Sequence, residues 1–158
     1  MLAERMALRL TGQAIYIATA EAHDGEMADR IAAHRARRAK GWSDIEAPRD
    51  LVAALRDSDG DVPRLVDCLT LWLTNLMLDG QDWRKAGENL AEALSDQKGQ
   101  VIIVTNEVGG GIVPDNKLAR DFRDAAGWLN QRVAEACEEV WMCVAGCPVK
   151  VKPNDDIF

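Results

Sequence analysis

The sequence predicts an α/β fold built on a mainly parallel sheet, and three observations predict it. Short apolar runs suited to buried strands recur at 14–18, 65–69 and 101–105. The last of these, Val101-Ile102-Ile103-Val104-Thr105, is apolar and β-branched, as expected of a strand covered on both faces. Segments of helical periodicity lie between the runs, and strands alternating with helices form parallel sheets with helices on their faces. The third observation is size and composition. With 158 residues, 47% hydrophobic and 28% charged, the chain has the length and make-up of one globular domain, expected over residues 1–158.

Each element has its own signal. Leu2, Met6, Ala7 and Leu10 mark one face of a helix over 2–11, and Gly12 stops it. Ala14 to Ala18 reads as the first strand. Asp24 is placed to cap a helix running to about Lys40, with Met27, Ile31 and His34 on one face. A second short strand is expected at 43–47 and a short helix at 51–55, followed by a turn at Ser58-Asp59-Gly60-Asp61 and Pro63. Leu65 to Leu69 reads as a buried strand, with helices at 71–78 and 83–95. After the strand at 101–105 comes a glycine loop, Val108 to Gly111. A long helix over about 116–138 follows, carrying Leu118, Phe122, Ala125, Leu129, Val133 and Ala136 at spacings of three and four. Val140 to Val144 reads as a further strand and 153–158 as a loose tail.

Several function classes are disfavoured. Net charge is 19 − 26 = −7, against nonspecific binding to nucleic acid or an anionic membrane. No apolar run approaches the roughly 18 residues of a membrane span. Glu4, Arg5 and Arg9 interrupt the first apolar stretch, unlike a secretory leader, so a cytoplasmic location is expected. Cys68, Cys137, Cys143 and Cys147 form no C-x-x-C pair, and His23 and His34 are the only histidines. No metal site is expected; the cysteines read as small buried hydrophobes kept reduced. The five tryptophans read as packing or rim residues.

Parallel sheets bind ligands at the carboxyl ends of their strands. Polar residues follow the strands there: Thr19-Ala20-Glu21, then Thr70, Thr74 and Asn75, then Asn106-Glu107 and the glycines. Gly109 to Gly111 alone is a flexible turn, since no Gly-Lys-Ser/Thr follows it. Arg30, His34 and Arg38 are spaced i, i+4, i+8, with Arg35, Arg37 and Lys40 beside them. This is either a solvated basic helix or a phosphate-facing patch with a histidine at its centre. In the second case the cations would depress the pKa of His34 and keep its imidazole neutral and nucleophilic near pH 7. Asp67 closes an apolar strand, as metal-linked carboxylates of nucleotide enzymes do, though the pattern is common. His23 is given no role.

Five stretches in order, YIATAEA at 16–22, DGEMADRIAAHRARR at 24–38, GW-x3-E at 41–46, VDCLTLWLTNL at 66–76 and VTNEVGGGIVPDNKLARDFRDAAGWLNQRVA at 104–134, cover most of the chain. On these the sequence resembles the bifunctional adenosylcobinamide kinase / adenosylcobinamide-phosphate guanylyltransferase family of cobalamin biosynthesis. The resemblance implies a phosphate-loop NTPase-like α/β fold, a homotrimer, and magnesium-assisted chemistry on ATP or GTP. It implies phosphorylation of adenosylcobinamide, then transfer of GMP from GTP by way of a GMP-histidine to adenosylcobinamide phosphate. It places the guanylylated histidine at His34. Nucleotide contacts fall on Ala18, Thr19 and Ala20, on Arg35, Ala36, Arg37 and Arg38, and on Glu46 and Asp67.

The sequence departs from the family pattern in one respect. Members open with a strand and a loop of the form G-G-x-R-S-G-K-S, and no such motif occurs here. The expectation is a domain without its first strand, which would belong in the sheet interior, and without the donors for the β- and γ-phosphates. From this follow an expected aggregation-prone chain without kinase activity, and an alternative reading as an impaired relic or assembly partner.

Overall fold

The computed structural model describes residues 2–22, 24–38 and 40–154. His23, the tail from 155 to 158 and the side chain of Leu10 lie outside the described residues. The element order is α1 (Leu2–Thr11), β1 (Ala14–Ala18), α2 (Gly25–Arg37), β2 (Trp42–Glu46), α3 (Leu51–Asp57), β3 (Arg64–Asp67), α4 (Leu69–Leu78), α5 (Trp83–Ser95), β4 (Val101–Val104), α6 (Lys117–Ala136), β5 (Val140–Val144) and β6 (Cys147–Lys152). β1 to β4 form one parallel sheet in the order β2-β1-β3-β4.

Alternation along the strands divides the core into two layers. Ala14 and Tyr16 of β1 and Leu65 of β3 face Ala7 of α1. Ile17 and Val66 face the opposite way, into a larger cluster with Leu51, Leu55, Leu69, Trp72, Leu73, Leu76, Leu90, Leu129 and Val133 from α3 to α6. Side-chain caps start three helices where the sequence offers Asp or Asn: Asp24 accepts from Met27 N (2.7 Å), Asp82 from Lys85 N (3.0 Å) and Asn116 from Ala119 N (2.8 Å).

The structure corrects several expectations, the burial of the cysteines among them: Cys68 is buried and Cys137 half-buried, but Cys143 and Cys147 lie exposed on a peripheral hairpin. The sheet has no interior gap among the described residues: β3 and β4 pair directly, Arg64 with Val101 through Asp67 with Val104. Direct pairing satisfies the ladder groups that a vacant strand position would strand. β4 is not fully buried: it is an edge of this sheet, and all four of its residues are half-buried. β3 ends at Asp67, and Leu69 belongs to α4. Cys68 is drawn across to the end of β1 instead, its N–H donating to Thr19 Oγ1 and its carbonyl accepting from the same hydroxyl, both at 2.7 Å. α2 stops at Arg37 and buries no residue completely.

β5 forms no part of the main sheet. It pairs antiparallel with β6, which the sequence did not announce, through a tight turn with positive φ at Ala145 and Gly146. Lys152 of β6 ties this hairpin back, donating to the carbonyls of Ala134, Glu135 and Cys137 where α6 ends. At the amino end of the sheet, Arg64 is wholly buried. Its guanidinium donates to Leu55 O (3.0 Å), Gln97 Oε1 (2.7 Å) and Gly99 O (2.7 Å), and pairs with Asp59 (2.9 Å). Gly99 is needed there, because a Cβ would lie 1.8 Å from Gly60 O.

Candidate functional site

Parallel register brings the carboxyl ends of three strands side by side. Ala18 pairs with Glu46 of β2 on one side and with Asp67 of β3 on the other. Beyond Ala18 the chain is fastened inward. Thr19 is fully buried, its N–H donates to Asp67 O (3.2 Å) and its hydroxyl holds Cys68. Buried Asn75 of α4 donates to Thr19 O (2.8 Å) and Pro48 O (3.0 Å), locking the loops after β1 and β2 together. Arg49 adds an outer clasp through Glu21 (2.6 Å) and Asp79. Those two carboxylates, Asp79 first, hold the Arg49 guanidinium firmly charged.

On the α1/α2 side of the sheet stands Tyr16, the one tyrosine in the chain. Its hydroxyl donates to Asp67 Oδ2 at 2.6 Å and lies 3.4 Å from His34 Nδ1. The Arg38 guanidinium stacks over the phenol ring at 3.8 Å, pairs with Asp44, and brings Nη1 to 3.5 Å from His34 Nδ1. Trp42 meets the same ring edge-on. Burial first, and Asp67 second, push the Tyr16 phenol well above its ordinary range, so it stays protonated. On the far side of the imidazole, Glu4 Oε1 of α1 lies 3.8 Å from Nε2.

His34, Arg38 and Asp67 therefore converge on one cluster, and Ala18 and Glu46 stand beside it. Arg35 joins from the rim: it is half exposed and bonded to Asp44 (3.0 Å) and Glu46 (3.3 Å). Ala36 and Arg37 lie on the exposed face of α2, and Arg30 pairs with Glu26 in solvent. Thr19 serves as a fastening within the fold, with Ala20 half-buried after it. The ring of cations expected around His34 reduces, among the described residues, to Arg38 faced by a carboxylate across the imidazole. Both arginines nearest the cluster are held by Asp44 of β2. Sequence reading missed Tyr16, Asp44 and Glu4. The signal for Tyr16 was a lone phenol inside an apolar strand, since a buried phenol requires a polar partner.

Among the described residues no group of three His, Cys, Asp or Glu side chains is placed to hold a metal. No helix among them is long and apolar enough to cross a membrane.

Residues 1–151 match the family model described as cobinamide kinase / cobinamide phosphate guanyltransferase. The chain is 50% identical over 155 residues to the bifunctional adenosylcobalamin biosynthesis protein CobP of Pseudomonas aeruginosa, an alignment spanning 96% of this chain and 89% of that one. It is 40% identical over 158 residues to the protein of the same description, CobU, of Salmonella typhimurium (89% and 86% of the two chains). The corresponding figure for CobU of Escherichia coli is 37% (90% and 87%). On a match over nearly its whole length, the chain belongs to the cobinamide kinase / cobinamide phosphate guanyltransferase family, whose members are both kinases and nucleotidyltransferases.

Proposed function

We propose that this protein forms a GMP-histidine on His34 from GTP and passes the guanylyl group to adenosylcobinamide phosphate, as one half of a bifunctional kinase and guanylyltransferase. The observation that carries the reading is the placement of His34, a partly exposed imidazole with the Asp67-bonded Tyr16 hydroxyl and Arg38 on its Nδ1 side and Glu4 beyond Nε2, at the ligand-binding end of the sheet. His34 attacks the α-phosphorus, the bond to pyrophosphate breaks, and pyrophosphate leaves with the electron pair. The phosphate of the corrinoid substrate then attacks the same phosphorus and releases the imidazole. One difficult transfer becomes two easier ones.

Arg35 and Arg38 supply the positive charge. Asp44 holds both guanidiniums, Arg35 at the rim with Glu46 as well and Arg38 buried in the cluster, from where they exchange carboxylate for phosphate oxygens as the triphosphate enters. Ala18 and Ala20 contribute a small-residue edge to the nucleotide. Magnesium bound with the triphosphate would supply charge neutralisation there. The phosphorylation step uses ATP or GTP. We further propose a cytoplasmic homotrimer. The β5–β6 hairpin supports assembly, since it exposes Met142, Val144, Val149 and Val151, with Trp141 exposed beside Lys150.

GTP labelled at the α-phosphate tests the assignment. Acid-labile, alkali-stable label should appear on the protein, vanish in His34→Ala and persist in His23→Ala. Label that persists in His34→Ala refutes it. A second reading, as an impaired relic or assembly partner, draws on the lack of a Gly-Lys-Ser/Thr loop in these 158 residues. It requires that neither labelled GMP-protein nor adenosylcobinamide phosphate form, whereas label without phosphorylation assigns these residues the guanylyl half alone.

A further inference from the structure

We infer that Tyr16 and Asp67 are positioning residues that set the tautomer of His34, keeping the proton on Nδ1 and leaving Nε2 as the nitrogen that takes the guanylyl group. The inference rests on the proposed role of His34 but makes a separate claim.

It follows from counting protons. A phenol has one hydroxyl proton and two acceptor lone pairs. The 2.6 Å contact between Tyr16 oxygen and Asp67 Oδ2 commits that proton to the carboxylate, since two bare oxygens would repel at that distance. Toward His34 Nδ1, at 3.4 Å, the Tyr16 oxygen can then only accept. A bare Nδ1 would set lone pair against lone pair beside a buried side chain, whereas Nδ1–H gives the phenol oxygen a donor. Two groups favour the other tautomer: Arg38 Nη1, at 3.5 Å from Nδ1, whose guanidinium is already engaged by Asp44 and the phenol ring, and the Glu4 carboxylate on the Nε2 side. Glu4, at 3.8 Å from Nε2, stands beyond hydrogen-bond reach in this state.

The chemistry balances. Nε2 donates its lone pair to the α-phosphorus while pyrophosphate departs. Nδ1 keeps its proton throughout, and the positive charge that develops on the ring is shared through Nδ1–H and Tyr16 toward the Asp67 carboxylate. When the second nucleophile displaces Nε2, the ring returns to its starting tautomer with no proton to move.

Nitrogen-15 NMR of the histidines in the full chain, assigned with His34→Ala, reads the tautomer without any turnover. In the neutral imidazole of His34, Nδ1 should resonate as a protonated, pyrrole-type nitrogen and Nε2 as a pyridine-type one. In Tyr16→Phe that preference should be lost, and label incorporation from GTP should slow by about 10- to 100-fold, the range for losing the outer hydrogen-bond partner of a metal-ligating histidine. GTP affinity should stay within about twofold. A pyridine-type Nδ1 in the unaltered protein overturns the inference even if His34 carries the label. So does a Tyr16→Phe protein with unchanged tautomer and rate. If Tyr16→Phe fails to fold, the spectrum of the unaltered protein decides. Loss of the His34 assignment itself would show separately, as label surviving in His34→Ala.

Discussion

Replacing Asn75 by Asp changes a single buried nitrogen to oxygen and should open the fastening behind the site. The Asn75 amide nitrogen donates to Thr19 O at 2.8 Å and Pro48 O at 3.0 Å, and the residue is almost fully buried. A carboxylate oxygen there faces two carbonyl oxygens and can satisfy neither. Each stranded buried acceptor costs roughly 1–3 kcal/mol, so the two together cost about 2–4 kcal/mol, allowing for the half-buried Pro48 side. That is a large part of a typical stability of about 5–15 kcal/mol. The variant also acquires a pH signature. Two carbonyls and burial raise the folded-state pKa of the new carboxyl above its unfolded value of about 3.9. Below that value both states are protonated and the proton serves one carbonyl. As pH rises from the unfolded pKa toward the folded one, the unfolded state ionises first and the fold loses about 1.4 kcal/mol per pH unit. The stability gap to the unaltered protein should therefore widen between about pH 4 and pH 7. Urea unfolding followed by tryptophan fluorescence measures it, because Trp72 Nε1 donates to Arg49 O (2.7 Å) next to Pro48. A gap under about 0.5 kcal/mol that does not change with pH would refute the reasoning.

Three further outcomes are expected. Tyr16 is raised by burial and by Asp67, so its ionisation should destabilise the fold. Stability is full below the unfolded phenol pKa of about 10 and lost as pH climbs beyond it, and tyrosinate absorbance should rise only together with loss of circular dichroism. Tyrosinate forming near pH 10 in a folded protein would contradict the burial argument. Arg38→Ala should cost about 1.5–3 kcal/mol in GTP affinity and also lower thermal stability through the lost stacking on Tyr16, whereas Arg30→Ala should change each by less than about 0.5 kcal/mol. Titration calorimetry and melting separate them, and equal effects would return α2 to the status of a uniformly solvated basic helix. Val144→Glu on the exposed hairpin should leave the melting of the main domain intact and shift a trimer to monomer in light scattering. An unchanged mass would remove the hairpin from the interface.

Much of the fold was legible because its signals are local. Apolar runs at 14–18 and 101–105, the cap at Asp24, and the three-four spacing of Leu129 and Val133 are read within one helix turn or a few strand residues. The resemblance placed the chain in its family because long motifs such as NEVGGGIVPDN survive as strings. The sequence by itself also brought His34, Arg38 and Asp67 under suspicion, one helix stripe and one strand end. What it could not show was pairing across the sheet. That Tyr16 reaches Asp67, 51 positions away, and that Asp44 holds both arginines depend on parallel register and on which face each side chain takes. The burial of Arg64 and the exposure of the β5–β6 hairpin were hidden for the same reason. A side chain's environment is set by strands and loops distant in the chain, and only the folded sheet, with its strand order and its edge at β4, decides which of them meet.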